Sequence, residues 1–267
     1  MRWIERLEEA PRDLSEPLVW VVRLDGAEAQ AAEVRPADLA DAAALGSARG
    51  AERLIRRRLL RALAGRALGV HPDAVIVERN TAGAPRIVAP EPLCVSHAGR
   101  AGWAALAIAR TRVGVDVDLA APESPLPLDL LHPDDRARLA ALPAPALPRA
   151  FAELWVVKEA YAKASGLTLD AVLAGYPVRT REDGRAEIGG GIAELRTFHG
   201  MVAAALTCLS SLSRSDGEVA AKPTEGPRDS AEPASRTAAV PLASGERPPP
   251  RLRRYSPMLR MEEIMTT

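Results

Sequence analysis

Apolar residues follow two different periods along this chain. Residues 17–24 (PLVWVVRL) form a continuous apolar run short enough to be a buried strand. Residues 93–96, 102–109 and 113–118 read as further strands, and 75–78 as a shorter one before a turn at 80–83. Between 48 and 68 the period becomes helical: Ile55, Leu59, Ala62 and Leu63 form an apolar stripe. The rest of that stretch carries Arg49, Arg53, Arg56, Arg57, Arg58, Arg61 and Arg66. A helix is predicted over 129–142, broken by the prolines of 143–148. A stronger one is predicted over 150–165, with Gly166 just past its end. Residues 176–180, 186–188, 193–198 and 201–207 close the patterned part as strands.

Two stretches echo each other. GWAALAI at 102–108 and GMVAAAL at 200–206 each follow a turn and read as buried strands. The expected fold is therefore α+β, built as two similar, pseudo-duplicated α+β halves with the active site in the cleft between them. The halves are expected at 1–111 and 112–209. Beyond them the composition changes. Residues 210–267 hold eight prolines and eight serines against seven Leu, Ile, Val or Phe. That is too little apolar surface to offset the entropy of ordering, so a disordered tail is expected, with 258–265 as its one candidate helix.

Composition narrows the function classes. The 267 residues carry 35 acidic and 35 basic side chains, which argues against a chain-wide polyanion-binding surface. Two cysteines, Cys94 and Cys208, cannot form a disulfide framework, which suggests a reducing, cytoplasmic setting. The opening MRWIERLEEAP lacks the apolar core of a signal peptide, and no run approaches 18 apolar residues. Only three of the 35 bases are lysines, and two of these, Lys158 and Lys163, lie five residues apart. A chain that otherwise writes its cations as arginine keeps a compact ammonium there twice.

Four segments offer chemistry. In Val113-Gly-Val-Asp-Val-Asp118, a strand would project Asp116 and Asp118 from one face, where two carboxylates suit a hard cation such as Mg2+. The plain alternative is a strand end with two solvated acids. In Phe151-Ala-Glu-Leu-Trp-Val-Val-Lys-Glu-Ala-Tyr-Ala-Lys163, a helix would align Trp155, Glu159 and Lys163. That alignment is either an ordinary i,i+4 ion pair or a carboxylate and an ammonium serving a metal and a phosphate. Cys94-Val-Ser-His-Ala-Gly99 is either a strand-to-turn junction or a hydroxyl, an imidazole and backbone N–H groups offered to an anion. Adjacent Ser96 and His97 would point to opposite faces, and no G-x-S-x-G motif occurs, so a serine hydrolase is disfavoured. The arginine helix is a solvated face, a phosphate grip or, lacking aromatic base-reading partners, least of all a nucleic-acid helix.

Taken in order, these motifs resemble the 4'-phosphopantetheinyl transferases of the long, single-chain, surfactin-synthetase-activating type. The resemblance runs through Ser96-His97-x-Gly99, Gly114-Val-Asp116-Val-Asp118 and Trp155-x-x-Lys158-Glu159-Ala160-x-x-Lys163-x-x-Gly166. The arginine helix, Gly69-Val-His-Pro72 and Gly83-Ala84-Pro85 extend it upstream. It implies an enzyme that moves the phosphopantetheine arm of coenzyme A onto a serine of an apo acyl or peptidyl carrier protein, releasing 3',5'-ADP. It also implies Mg2+ on Asp116, Asp118 and Glu159, with Glu159 and Lys163 catalytic. Coenzyme A is expected against Arg53, Ser96, His97, Lys158 and Lys163. Two positions depart from the family pattern: Ala84 stands where many members have lysine, and Asp118 where glutamate is commoner. A coenzyme A-binding relative that has lost transfer is the alternative. A monomer that engages neither nucleic acid nor membrane is expected.

Overall fold

The strands assemble into two sheets. The first contains β1 (Arg2–Ile4), β2 (Leu18–Arg23), β3 (Ile76–Arg79), β4 (Pro85–Ala89), β5 (Leu93–Arg100) and β6 (Trp103–Ala109), in the order β1-β2-β6-β5-β4-β3. The second contains β7 (Val113–Leu119), β8 (Arg179–Thr180), β9 (Arg185–Ile188), β10 (Gly191–Phe198) and β11 (Met201–Thr207), in the order β7-β11-β10-β9-β8. Every described pairing is antiparallel except β1 with β2. Four α-helices accompany them among the described residues: α1 (Ser47–Leu68), α2 (Pro133–Ala140), α3 (Leu147–Ser165) and α4 (Leu169–Gly175). The computed structural model describes residues 1–26, 38–39, 47–80, 83–122, 125–181 and 183–208. The tail expected at 210–267 and its candidate helix lie outside the described residues.

The two-residue period of the strands explains the layering. On β2, Leu18, Trp20 and Val22 pack with Leu59, Leu60 and Leu63 of α1, while Val19 faces the other way. On β6, Ala104, Leu106 and Ile108 join the α1 side, and Ala105, Ala107 and Ala109 face the second sheet. That second sheet answers with Val113, Val115 and Val117 of β7 and with Met201, Ala203 and Ala205 of β11. Its opposite face presents Val202, Ala204 and Leu206 to α3. The order is thus helix, sheet, sheet, helix, with a thin alanine and valine layer between the sheets. Among the described residues, no helix is long and apolar enough to cross a membrane.

Several boundaries differ from the sequence reading. β5 runs through to Arg100, so Ser96 and His97 sit inside a strand and not at a strand-to-turn junction. The helix predicted over 129–142 contracts to α2, where His132 Nδ1 accepts from Asp134 N–H and Pro133 occupies the first turn. α3 starts earlier than predicted because Pro148 is tolerated in its first turn, and it ends as expected on Gly166 in the left-handed conformation. α4 was not foreseen. Its signal was present: the Thr168 hydroxyl accepts from Ala171 N–H, and Asp170 lies in the first turn.

Candidate active site

The site forms where β7 meets α3. Gly114, Asp116 and Asp118 alternate with the valines of β7 and so face the α3 side. A Cβ at Gly114 would stand 1.9 Å from the Ala160 carbonyl oxygen, so the bare glycine lets the helix backbone lie directly on the strand. Trp155, Glu159 and Lys163 are spaced four apart on α3 and share one face of it. This close approach brings Lys163 to the strand.

Lys163 Nζ lies 2.6 Å from Asp116 Oδ1 and 3.5 Å from Glu159 Oε2. It also donates to the Val115 carbonyl oxygen at 3.2 Å. On its far side, Glu159 accepts from the Trp155 indole N–H at 3.1 Å through Oε1, and Trp155 is stacked on Phe151. Burial pushes the Asp116 carboxyl above the usual carboxylate range, with Lys163 pulling against it and Glu159 and Asp118 adding to it. Burial would also lower Lys163, but Asp116 and Glu159 outweigh it and hold the ammonium above its ordinary value. About a third of the Lys163 side chain stays open to solvent.

Asp118 does not join this group. Arg100, at the end of β5, holds its Oδ1 at 3.0 Å, and the same oxygen accepts from Leu119 N–H at 2.7 Å. Burial raises the Asp118 carboxyl, opposed by the Leu119 N–H and by Arg100. The three acids expected to hold a metal are therefore not gathered into one cage. Among the described residues, no cluster of three or more His, Cys, Asp or Glu is poised to hold an ion. Asp116 and Glu159 nonetheless turn their oxygens toward one cation, the Lys163 ammonium. Such hard oxygen donors fit Mg2+.

A second, cationic region surrounds His97. Its neighbour on β5, Ser96, faces the second sheet and is buried, whereas His97, paired with Leu106, faces α1. Burial and then the charges of Arg56, Lys163, Arg57 and Arg79 push His97 down to about 3, so the ring is neutral. Arg56 packs so closely on Gly99 that a Cβ there would meet its Nη1 at 2.4 Å. Arg57 donates to the Val77 carbonyl oxygen at 2.9 Å, and Arg79 to that of Gly83 at 2.8 Å. Arg53 lies one turn before Arg57 on α1 and is half-buried. Four positive charges converging on a neutral imidazole suit a phosphate-bearing ligand. The sequence offered the arginines of α1 as a phosphate grip, but Arg79 and Arg100 stand outside that stretch. The only sign of Arg79 was its place beside the Asn80–Gly83 turn.

Lys158 requires a correction. Expected against coenzyme A, it is fully buried. Its ammonium lies 2.8 Å from Asp135 Oδ2 and donates to the carbonyl oxygens of Leu173 and Tyr176 at 2.9 and 2.6 Å. It closes the C-terminal end of α4 and ties α2 to α3. The physical reason is helical pitch: one residue before Glu159 is a turn of about 100°, which carries Lys158 off the face shared by Glu159 and Lys163.

No curated protein matches this chain. Residues 112–208, the stretch that holds β7, α3 and the Asp116, Glu159 and Lys163 side chains, match the family model of the 4'-phosphopantetheinyl transferase superfamily.

Proposed function

We propose that this protein transfers the 4'-phosphopantetheine group of coenzyme A to a serine of an apo acyl or peptidyl carrier protein and releases 3',5'-ADP. The observation that carries this reading is the convergence of Asp116, Glu159 and Lys163 inside the stretch that matches the family. On this reading the two sheets with their helices are two similar halves, 1–111 and 112–209, and coenzyme A lies between them.

The carrier serine oxygen attacks the phosphorus that bears the pantetheine arm. The bond from that phosphorus to the bridging oxygen breaks, and its electron pair leaves on 3',5'-ADP. Glu159, held in place by the Trp155 N–H, takes the serine proton. Lys163 stabilises the negative charge on the departing group. Arg56, Arg57 and Arg79, with Arg53 nearby, hold the nucleotide phosphates beside neutral His97. Asp116 and Glu159 would hold Mg2+, which when bound neutralises charge on the pyrophosphate.

The test is incubation of the protein with coenzyme A, Mg2+ and an apo carrier protein, followed by mass spectrometry of the carrier. A gain of one phosphopantetheine is expected, and its loss in Asp116→Ala at unchanged circular dichroism. Calorimetric binding of coenzyme A with no change in carrier mass would favour the relative that binds without transfer.

A further inference from the structure

β7 is an edge strand. Among the described residues its one sheet partner is β11, with Val115 opposite Ala205 and Asp116 opposite Ala204. Within a strand, the N–H and C=O of one residue point to the same side, and the next residue's point to the other. Val115 turns both groups away from β11, onto the open edge. It is also fully buried, so water does not serve them. Unpaired, each would be a costly orphan. Both have partners. The Val115 N–H donates to Ser96 Oγ at 3.1 Å, and the Val115 carbonyl accepts from Lys163 Nζ at 3.2 Å.

Ser96 belongs to the first sheet. Its i±2 neighbours Cys94 and Ala98 pack in the layer between the sheets, and Ser96 itself is 5% exposed. Its hydroxyl therefore points to β7, on the opposite face of β5 from His97 and the arginines. The Val115 backbone is held on both sides of its Cα: the N–H, in the Gly114–Val115 peptide, by a hydroxyl of the first sheet, and the carbonyl, in the Val115–Asp116 peptide, by an ammonium of α3. The next residue along β7 is Asp116, whose carboxylate meets the same ammonium at 2.6 Å.

We infer that Ser96 is a positioning residue for the transfer reaction, acting through the backbone of Val115 to set Asp116 against Lys163 and Glu159, and that it is not a ligand of coenzyme A. This rests on the function proposed above. The wild type, Ser96→Ala and Ser96→Thr are compared by coenzyme A calorimetry, by kcat and KM for coenzyme A at saturating apo carrier, and by amide exchange at Val115 and Asp116. In Ser96→Ala, the Kd and KM for coenzyme A stay within about twofold, and kcat falls about 10-fold or more. Exchange at Val115 quickens about tenfold, while the Asp116 amide, which faces β11, does not change. Ser96→Thr, which keeps the hydroxyl, restores kcat.

A rise of about tenfold in Kd with unchanged Val115 exchange would overturn the inference, because Ser96 would then touch the ligand. A folded Ser96→Ala with unchanged kcat would overturn it as well, leaving Ser96 a purely structural residue. Where Ser96→Ala does not fold, Ser96→Cys, a weaker acceptor, carries the same measurements. If the wild type binds coenzyme A but transfers nothing, the proposed function fails by itself. The exchange measurement still decides whether Ser96 holds the Val115 N–H.

Discussion

Gly114 and Ala160 are in backbone contact: a side chain on the glycine would stand 1.9 Å from the Ala160 carbonyl oxygen and 2.8 Å from the Ala164 nitrogen. Backbone cannot swing aside as a flexible side chain can. Gly114→Ala must therefore lift α3 off β7 and carry Glu159 and Lys163 away from Asp116. Overpacking of this kind costs about 1–3 kcal/mol, and here it falls on the strand that holds the site. The expected outcome is a lower urea midpoint together with transfer near background. Unchanged transfer would show that the contact does not set the site.

Lys158 should behave as a core residue. Lys158→Met leaves Asp135 buried without its ammonium, and a broken buried pair costs about 3–5 kcal/mol. Asp135 still keeps the Val178 N–H at 3.0 Å and Arg138 at 3.2 Å. Pairing the change with Asp135→Leu should recover much of the loss. A double-mutant cycle by denaturant melting measures the coupling, and transfer per folded molecule should stay close to wild type. A selective rise in KM for coenzyme A would return Lys158 to the phosphates.

Lys163 should behave otherwise. An exposed i,i+4 pair with Glu159 would be worth a few tenths of a kcal/mol in stability and nothing in rate. A charge acting on the leaving group should cost about 10²-fold or more when Lys163→Ala removes it. Lys163→Arg keeps the charge but replaces a compact ammonium with a planar fork, so partial recovery is expected. Steady-state transfer rates of the two variants separate the cases.

His97 gives a prediction in pH. Its ordinary value is 6.5, and the fold lowers it to about 3, burial first and the surrounding cations after. Above about pH 6.5 the ring is neutral in both folded and unfolded chains, and its environment carries no penalty. As pH falls from there toward 3, the unfolded chain takes up a proton that the folded chain refuses, and stability drops through that window. The wild type should therefore lose more stability than His97→Gln between pH 6.5 and 4 in urea melts. The His97 ring should also show no NMR titration between pH 5 and 8.

Much of this arrangement was legible in the chain. The change of period at α1, the alternation on β7 and the Gly166 stop on α3 follow from side-chain direction and backbone geometry alone. The spacing of Trp155, Glu159 and Lys163 placed them on one face, and the structure keeps them together. What escaped were contacts set by tertiary neighbours. β1, three residues long, exists because β2 offers it a parallel edge. β4 begins on a proline that reads as a breaker. Asp118 shares a strand face with Asp116, but no spacing rule reports that Arg100 reaches it first. Lys158 was drawn to the phosphates by its neighbours in the motif, although one step along a helix is enough to bury it.

The clamp on Val115 also bears on how the protein is made. Ser96, Val115 and Lys163 come from three elements, and the bond from Lys163 to Val115 spans 48 positions. Contacts that close long stretches of chain form late, after local helices and hairpins. Recovery of transfer on refolding should thus lag behind recovery of helical circular dichroism, reporting the meeting of the two sheets and not their separate formation. During synthesis the same geometry imposes an order: a chain halted before α3 is complete holds the arginines of α1 but not Lys163, and so lacks a group to which the proposed transfer is assigned.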